Sequence, residues 1–360
     1  MPSGSGSPPC SDPRLCKLLE RLPKVDLHLH LIGAMRAATL AELALKHAVA
    51  LPKSAEALYD FSAFEEFIDV LRLAATVLRT REDFARVMFE TLEDGYLRGN
   101  LKHAEVMFNP QYHYPCGIRY PQIVAGLRDG IARARAEYGV SGLLIASIDR
   151  EIDPAKALEL MQHIVAYRCE EVIGVGLDGP EGAGPPHRFA AAYELAGRAG
   201  LKRTAHVCED NQPIERAPPE HYRVCREVLH CDRLDHGYNL LTDPATVARA
   251  RDAGLYFNIC PMTSAARNRG RRLQSIRRMQ EAGLRITVNT DDPAMFGTDI
   301  AQAHDLLFAN LGWGVREARE LGLAGIEASW ADPARKRELR SEFLENLHVL
   351  TADLGLDDDA

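Results

Sequence analysis

Residues 25–31 read Val-Asp-Leu-His-Leu-His-Leu, a short apolar run that carries two histidines. The pattern predicts a β-strand. Successive side chains of a strand point to opposite faces, so His28 and His30 share one face. A pair of imidazoles on one face of a buried strand is a candidate for metal binding.

The rest of the chain alternates strand-like and helix-like segments. This alternation indicates an α/β protein with a parallel sheet, and eight such units favour a (β/α)₈ TIM barrel. A doubly wound open sheet gives a similar periodicity. The predicted strands are 25–31, 103–108, 142–148, 172–177, 203–207, 233–236, 255–259 and 285–289. Predicted helices include 120–138, 154–167, 188–199 and 243–253.

The first connection is far longer than the others and runs from about 33 to 100. It contains helical patterns at 38–48, 61–77 and 82–97. Insertions after a barrel strand lie over the catalytic face, so this one forms either a lid or additional packing helices.

The two ends of the chain differ from the middle. Residues 1–20 begin with a stretch rich in Gly, Ser and Pro that lacks the apolar core of a signal peptide, and we predict a disordered leader. Residues 21–350 are predicted to form a single domain, and 351–360 an acidic tail. We find no internal repeat.

Composition excludes several function classes. The net charge of −8 is dispersed, which argues against nucleic acid and acidic membranes as partners, and we expect a cytoplasmic protein that is able to form an oligomer. The eight cysteines include no CxxC pair, so we expect free thiols and no cysteine-based zinc site.

Further metal-binding residue types lie where other predicted strands end. His206 ends the fifth strand, His236 ends the sixth, and Asp291 and Asp292 follow the eighth. Catalytic groups of TIM barrels lie at these carboxyl ends. Imidazoles and a carboxylate are suitable zinc ligands, and a catalytic site keeps one position for water.

Several stretches together resemble the adenosine deaminase family, in the family's order from about residue 21 to 300. They are 22–31 (LPKVDLHLHL), 206–209 (HVCE, for His-Ala-Gly-Glu), 233–237 (RLDHG, for Arg-Ile-Gly-His-Gly), 260–264 (CPMTS, for Cys-Pro-x-Ser) and 289–293 (NTDDP). The resemblance implies a zinc-dependent hydrolytic deaminase that acts on a 6-aminopurine compound and releases ammonia.

The resemblance also implies a role for each matching residue. One zinc ion is expected on His28, His30, His206 and Asp291. Glu209 is expected to protonate the purine ring, and His236 to orient the attacking hydroxide. Asp292 is expected to contact N7 of the purine, the Gly179 N–H to contact N3, and Glu181 is a further candidate contact.

Two departures from the family put adenosine itself in doubt as the substrate. Ile32 stands where adenosine deaminases carry an acidic residue that bonds the 5′-hydroxyl of the sugar. An apolar side chain leaves that hydroxyl unpaired, at a cost of about 1–3 kcal/mol. The loop 176–181 (GLDGPE) also departs from Asp-Leu-Ala-Gly-x-Glu. We therefore expect an aminopurine with a less polar or absent 5′ region.

Two other motifs are discounted. Residues 174–179 match GxGxxG, but the prolines that follow prevent a helix from starting promptly, as a dinucleotide site requires. His103-Ala104-Glu105 matches the HxE of cytidine-type deaminases, but no PCxxC follows, so we place it on the second strand. The segment 109–113 directly follows that strand, and whether it reaches the pocket is left open.

Two rival functions remain at this stage. One is another amidohydrolase that cleaves a cyclic amide or a phosphoester. Binuclear members need a bridging carboxylate or carbamylated lysine at the end of the fourth strand, and 172–177 contains no lysine. The other is a catalytically silent metal-binding barrel, which the presence of both Glu209 and Asp292 disfavours. Iron or manganese would also suit the ligands.

Overall fold

The computed structural model describes residues 12–61, 64–263 and 268–357. All described strands pair in parallel. They are β1 (Lys24–His30), β2 (Leu101–Phe108), β3 (Ser141–Asp149), β4 (Val172–Asp178), β5 (Lys202–Arg203), β6 (His206–Val207), β7 (Leu234–His236), β8 (Tyr256–Ile259) and β9 (Arg285–Val288). Each of the eight predicted strands is present within one or two residues.

The strands form one closed barrel. Two sheets run in sequence order, β1 to β5 and β6 to β9. The predicted fifth strand, 203–207, is divided at Thr204 and Ala205 into β5 and β6. Thr204 N–H still donates to the Val175 carbonyl of β4. At the other seam, Leu29 of β1 bridges in parallel to Asp291, which follows β9. The prediction of a TIM barrel is confirmed.

Helices cover the outside of the barrel. The described helices are α1 (Pro13–Arg21), α2 (Ala37–Lys46), α3 (Phe64–Val77), α4 (Arg81–Gly99), α5 (Tyr120–Tyr138), α6 (Pro154–Ala166), α7 (Ala190–Arg198), α8 (Glu220–Glu227), α9 (Pro244–Ala253), α10 (Arg269–Glu281), α11 (Ile300–Leu311), α12 (Val315–Ala328) and α13 (Pro333–Leu354). The long first connection contains α2, α3 and α4, as its periodicity predicted.

The first helix corrects the prediction of a disordered leader. Residues 13–21 form α1, whose N-terminus is capped when the Asp12 carboxylate accepts the Arg14 N–H. Leu15, Leu18 and Leu19 are buried in the main core. Burial of these leucines offsets the entropy lost on ordering the segment. Residues 1–11 lie outside the described residues.

The carboxyl end also differs from the predicted tail. Helix α13 continues to Leu354, so residues 351–354 belong to the last helix. Thr351 is buried there and donates to the Leu347 carbonyl. Residues 358–360 are outside the described part of the chain.

Other features agree with the sequence analysis. Seven of the eight cysteines are free thiols, and the eighth, Cys10, is not among the described residues. His103 and Glu105 lie on β2, where Glu105 pairs with the buried Arg233 at 2.7 Å. The GxGxxG stretch ends β4, and a turn follows it instead of a helix. Within the described residues, no helix is long and apolar enough to cross a membrane.

Candidate active site and metal centre

The predicted metal-binding residues converge at the carboxyl end of the barrel. His28 and His30 come from β1, His206 from β6 and His236 from β7, while Asp291 follows β9. His28, His206, His236 and Asp291 are buried, and each offers one ligand atom that lies within 4.8 Å of the others. Residues up to 263 positions apart in sequence therefore share one centre.

His30 borders the same centre from a slightly different side. Its Nε2 lies 3.1 Å from His206 Nε2 and 3.5 Å from Asp291 Oδ1. His236 instead points its Nε2 towards Glu209 Oε2, at 3.9 Å. The structure thus brings together five groups: the four predicted ligands and His236.

The spacing and chemistry of these groups fit a zinc ion. Donors around a tetrahedral zinc with bonds of about 2.0–2.1 Å are about 3.3 Å apart. His28 Nε2 lies 3.3 Å from Asp291 Oδ1, and the His30 distances bracket that value. His28 Nε2 has no hydrogen-bond partner among the described residues, although it is fully buried. A buried nitrogen without a partner is costly unless an ion or water occupies the space beside it.

Backbone strain is concentrated at the same strand ends. His236 and Asp291 have φ angles of 69° and 68°, and Cys208, next to Glu209, has 54°. This left-handed region costs a residue with a side chain on the order of 1–3 kcal/mol. Such strain persists where the surrounding structure fixes a functional geometry, which agrees with a site at this position.

Asp235 orients His28, a role that the sequence analysis missed. Asp235 Oδ1 lies 3.0 Å from His28 Nδ1, on the side of the ring opposite Asp291. The carboxylate also accepts hydrogen bonds from Thr204 Oγ1 at 2.7 Å and Asn258 Nδ2 at 2.8 Å. Burial acts to raise the pKa of Asp235, but His28 outweighs it and lowers that pKa to about 2. A carboxylate behind a ligating imidazole fixes its tautomer and direction.

Glu209 lies beside the centre and is partly buried, with its side chain 13% exposed. Burial raises the pKa of its carboxyl to about 8, so the group holds a proton at neutral pH. Asn211 Nδ2 donates to Oε2 at 2.7 Å, and Arg272 Nη2 donates to Oε1 at 3.2 Å. A carboxylic acid that is protonated near pH 7 suits a general acid.

Arg272 is a second residue that the sequence analysis did not identify. It is 2% exposed and donates to Asp210 Oδ1 at 2.5 Å and to the Met262 carbonyl at 2.9 Å. These bonds fix the guanidinium against Glu209. The contacts of Arg272 join α10 to the loop after β6, although the two segments are more than sixty positions apart in sequence.

Glu181 does not line the cavity, which corrects its predicted role as a substrate contact. Its carboxylate accepts the N–H of Cys208 at 3.1 Å and of Glu209 at 3.3 Å, and it pairs with His221 at 2.6 Å. Both oxygens are therefore engaged in holding the loop that carries Glu209. We assign Glu181 a positioning role.

An open cavity of about 860 Å³ lies in front of the centre. Glu209, Asp292, Gly179 and Ile32 all line it, as expected for residues that contact a substrate. Ile32 is 3% exposed and presents only carbon atoms.

Part of the wall comes from the long first connection. Phe67, Ile68 and Leu71 of α3 line the cavity, and the Phe67 ring packs 5.2 Å from that of Phe296. The insertion therefore covers the catalytic face, as its place after the first strand predicted.

Asp178 and Asn109 complete the wall next to Gly179. Asn109 Nδ2 donates to both oxygens of Asp178, at 2.8 and 3.0 Å. Burial and the neighbouring Asp149 raise the pKa of Asp178 to about 7. The segment after the second strand thus reaches the pocket, which the sequence left open.

Asp292 depends on a glycine across from it. A Cβ added at Gly33 would lie 1.8 Å from Asp292 Oδ1, so only glycine permits this side-chain position. Asp292 Oδ1 is buried and has no hydrogen-bond partner among the described residues. Burial and repulsion from Asp291 raise the pKa of Asp292 well above its usual value.

We expect Gly33→Ala to lower kcat/KM by about 10²-fold, because displacing a group that positions substrate by about 1 Å has effects of this size. Zinc content should be unchanged. Gly270→Ala is the matched control, since a Cβ there meets nothing within 4 Å. Steady-state kinetics on both variants check this, and normal turnover by Gly33→Ala would show that the position of Asp292 is unimportant.

Comparison with known proteins agrees with this geometry. Residues 23–346 match the family model described as adenosine deaminase. An adenine deaminase of Rhodospirillum rubrum is 33% identical over 331 residues, which cover 90% of this chain and 97% of that protein. A zinc-bound amidohydrolase from Burkholderia ambifaria superposes with a TM-score of 0.88 at 30% identity, over 96% of each chain. An adenine deaminase from Arthrobacter aurescens gives a TM-score of 0.82 at 31% identity, over 90% of this chain and 98% of that one. The chain belongs to the adenosine deaminase family.

Proposed function

We propose that this protein is a zinc-dependent hydrolase that deaminates free adenine. Water adds at C6 of the purine, ammonia leaves, and hypoxanthine is the product. The observation that carries the proposal is the position of Glu209, a partly buried carboxyl group that lines the same cavity as the metal-binding cluster.

His28, His30, His206 and Asp291 would hold the zinc ion. Zinc, when bound, supplies a water molecule activated for attack near neutral pH. His28 is kept in place by Asp235, and His206 and His30 complete the cluster from two other strands. Because His236 directs Nε2 towards Glu209, we place it beside the attacking water and outside the ligand set.

The proton transfers fall to Glu209. Its protonated carboxyl would donate to N1 of the purine, which makes C6 more electrophilic. The resulting carboxylate would then take the proton of the hydroxyl group added at C6 and pass it to the departing amine. Arg272 and Asn211 hold the two carboxylate oxygens during this exchange. Asp292 would bond N7 and the Gly179 N–H would bond N3, so that C6 faces the centre.

Two observations support adenine over adenosine. Ile32 offers no partner for a sugar hydroxyl, and a buried hydroxyl without a partner is unfavourable. The similar proteins from Rhodospirillum rubrum and Arthrobacter aurescens are adenine deaminases. An apolar site without a partner for an added hydroxyl rejects it only moderately, by about 10²-fold.

We expect kcat/KM for adenine to exceed that for adenosine by about 10²-fold, since Ile32 leaves the 5′-hydroxyl without a partner. Ammonia release from adenine, adenosine and 5′-deoxyadenosine, and hypoxanthine formation from N6-methyladenine, measure this, together with zinc per chain. Adenosine as the best substrate would overturn the choice of adenine. Two tightly bound zinc ions per chain would point to the binuclear amidohydrolases.

A further inference from the structure

The proposed mechanism leaves one carboxylate of the cavity without a role. Asp178 is the last residue of β4, is 5% exposed, and lines the cavity next to Gly179. It is not in the group of candidate ligands found among the described residues. Its Oδ2 lies 3.8 Å from His30 Nδ1, the ring nitrogen opposite the one that faces His206.

Asp178 retains unused acceptor capacity. The Asn109 amide occupies one position on each oxygen, whereas a carboxyl group has about four acceptor positions. The nearby buried cation, Arg150, donates to the backbone carbonyl of Asp178. No ion pair between the Asp178 carboxylate and a lysine or arginine occurs in the described part of the chain. A buried acceptor of this kind at a cavity wall suits an N–H donor of a ligand.

The position beside Gly179 identifies which purine atom is near. N3 and N9 are both attached to C4, so a side chain adjacent to the residue that bonds N3 faces N9. Free adenine carries a proton on N9, whereas a nucleoside carries its sugar there. We propose that Asp178 accepts a hydrogen bond from N9–H and thereby selects purines that are unsubstituted at position 9. This inference rests on the proposed function.

The alternative role for Asp178 is to orient His30 for zinc binding. The 3.8 Å separation is too long for a hydrogen bond, which favours the substrate role. The two roles predict different consequences when the carboxylate is removed. Loss of the substrate contact changes ligand selectivity, and loss of the His30 contact changes zinc content.

Two analogues of adenine that keep its shape differ in whether they carry the N9–H donor. 7-Deazaadenine keeps N9–H and has carbon at position 7, whereas 9-deazaadenine has carbon at position 9 and a proton on N7. Binding of each to the zinc-loaded enzyme would be measured by calorimetry. We expect Asp178→Ala to weaken the binding of 7-deazaadenine by about 10- to 100-fold, the range for a hydrogen bond to a charged group. The affinity for 9-deazaadenine should change by less than about threefold. The affinity of Asp178→Asn for 7-deazaadenine should lie between that of Asp178→Ala and that of the wild type.

Asp149→Asn is the matched control, because Asp149 is also buried and pairs with Asp178 across β3 and β4 but is absent from the cavity wall. It should weaken the binding of neither compound, because removing the Asp149 charge lowers the pKa of Asp178 and keeps its carboxylate ionised. Equal weakening of the binding of both compounds by Asp178→Ala, or loss of zinc from that variant, would each overturn the inference. Failure of the proposed function is a separate result, since the wild type would then release no ammonia from adenine.

Discussion

Replacing Glu209 with Gln should lower kcat for adenine deamination by about 10²–10⁴-fold, the usual contribution of a positioned general acid. Glutamine has the same size, and its single amide oxygen can accept from either Asn211 or Arg272, which bond different oxygens of Glu209. The Cys208 and Glu209 N–H groups still donate to Glu181, so the loop should keep its structure. Glutamine cannot donate a carboxylic proton to N1 or carry the proton of the added hydroxyl to the leaving amine. Zinc content and product affinity should remain close to those of the wild type.

Asp210→Asn distinguishes this role from a structural one. Asp210 shares Arg272 with Glu209 and is buried, but it does not line the cavity. If the ion pair with Arg272 were the essential feature, both variants would lose activity to a similar extent. We expect Asp210→Asn to retain most of its turnover, and ammonia release from adenine measures the difference. Full activity in Glu209→Gln would contradict the proposed proton transfer.

The sequence was sufficient to predict the barrel and the metal cluster because both depend on local patterns. The strands are short apolar runs, and the period of two places His28 and His30 on one face. The carboxyl ends of parallel strands meet at one end of a barrel, so His206, His236 and Asp291 could be expected to converge there. The distances among them in the structure agree with this expectation.

Side chains that assist the site from distant positions in the sequence could not be predicted in the same way. Asp235 and Arg272 act through contacts with residues 207 and 63 positions away in sequence, and their own neighbours give no indication of those contacts. One signal was available for Asp235, since a carboxylate within a buried parallel strand requires a partner. Glu181 was misassigned because its place in the loop was known, but the direction of its side chain was not.

The leader was misassigned for a different reason. Composition over 1–20 is dominated by the Gly, Ser and Pro at its start, and this average concealed a helix signal at its end. Asp12 followed by Pro13 is a common helix start, and Leu15, Leu18 and Leu19 follow at helical spacing. A shorter window would have separated the two parts.

Removing the metal should lower the activity at least as much as replacing Glu209. Asp291→Ala should abolish stable zinc binding and reduce deamination below detection, because no activated water is then supplied. Asp291 contributes the carboxylate 3.3 Å from His28 and 3.5 Å from His30. Elemental analysis and ammonia release check both results, and an Asp291→Ala enzyme that retains zinc and activity would contradict the proposed ligand set.

Asp235→Asn should also weaken zinc binding and deamination, but to a smaller extent. Replacing the partner of a ligating imidazole typically costs about 10- to 100-fold in metal affinity or activity. Asn can accept from Thr204 or Asn258, but its amide group cannot provide the charge that now faces His28. Excess zinc should therefore restore activity to Asp235→Asn but not to Asp291→Ala. Asp232→Asn is the control, since that carboxylate bonds the Arg203 N–H and the Lys202 side chain outside the site. If excess zinc restored the activity of both variants, or of neither, the assignment of Asp291 as a ligand and Asp235 as an orienting residue would be wrong.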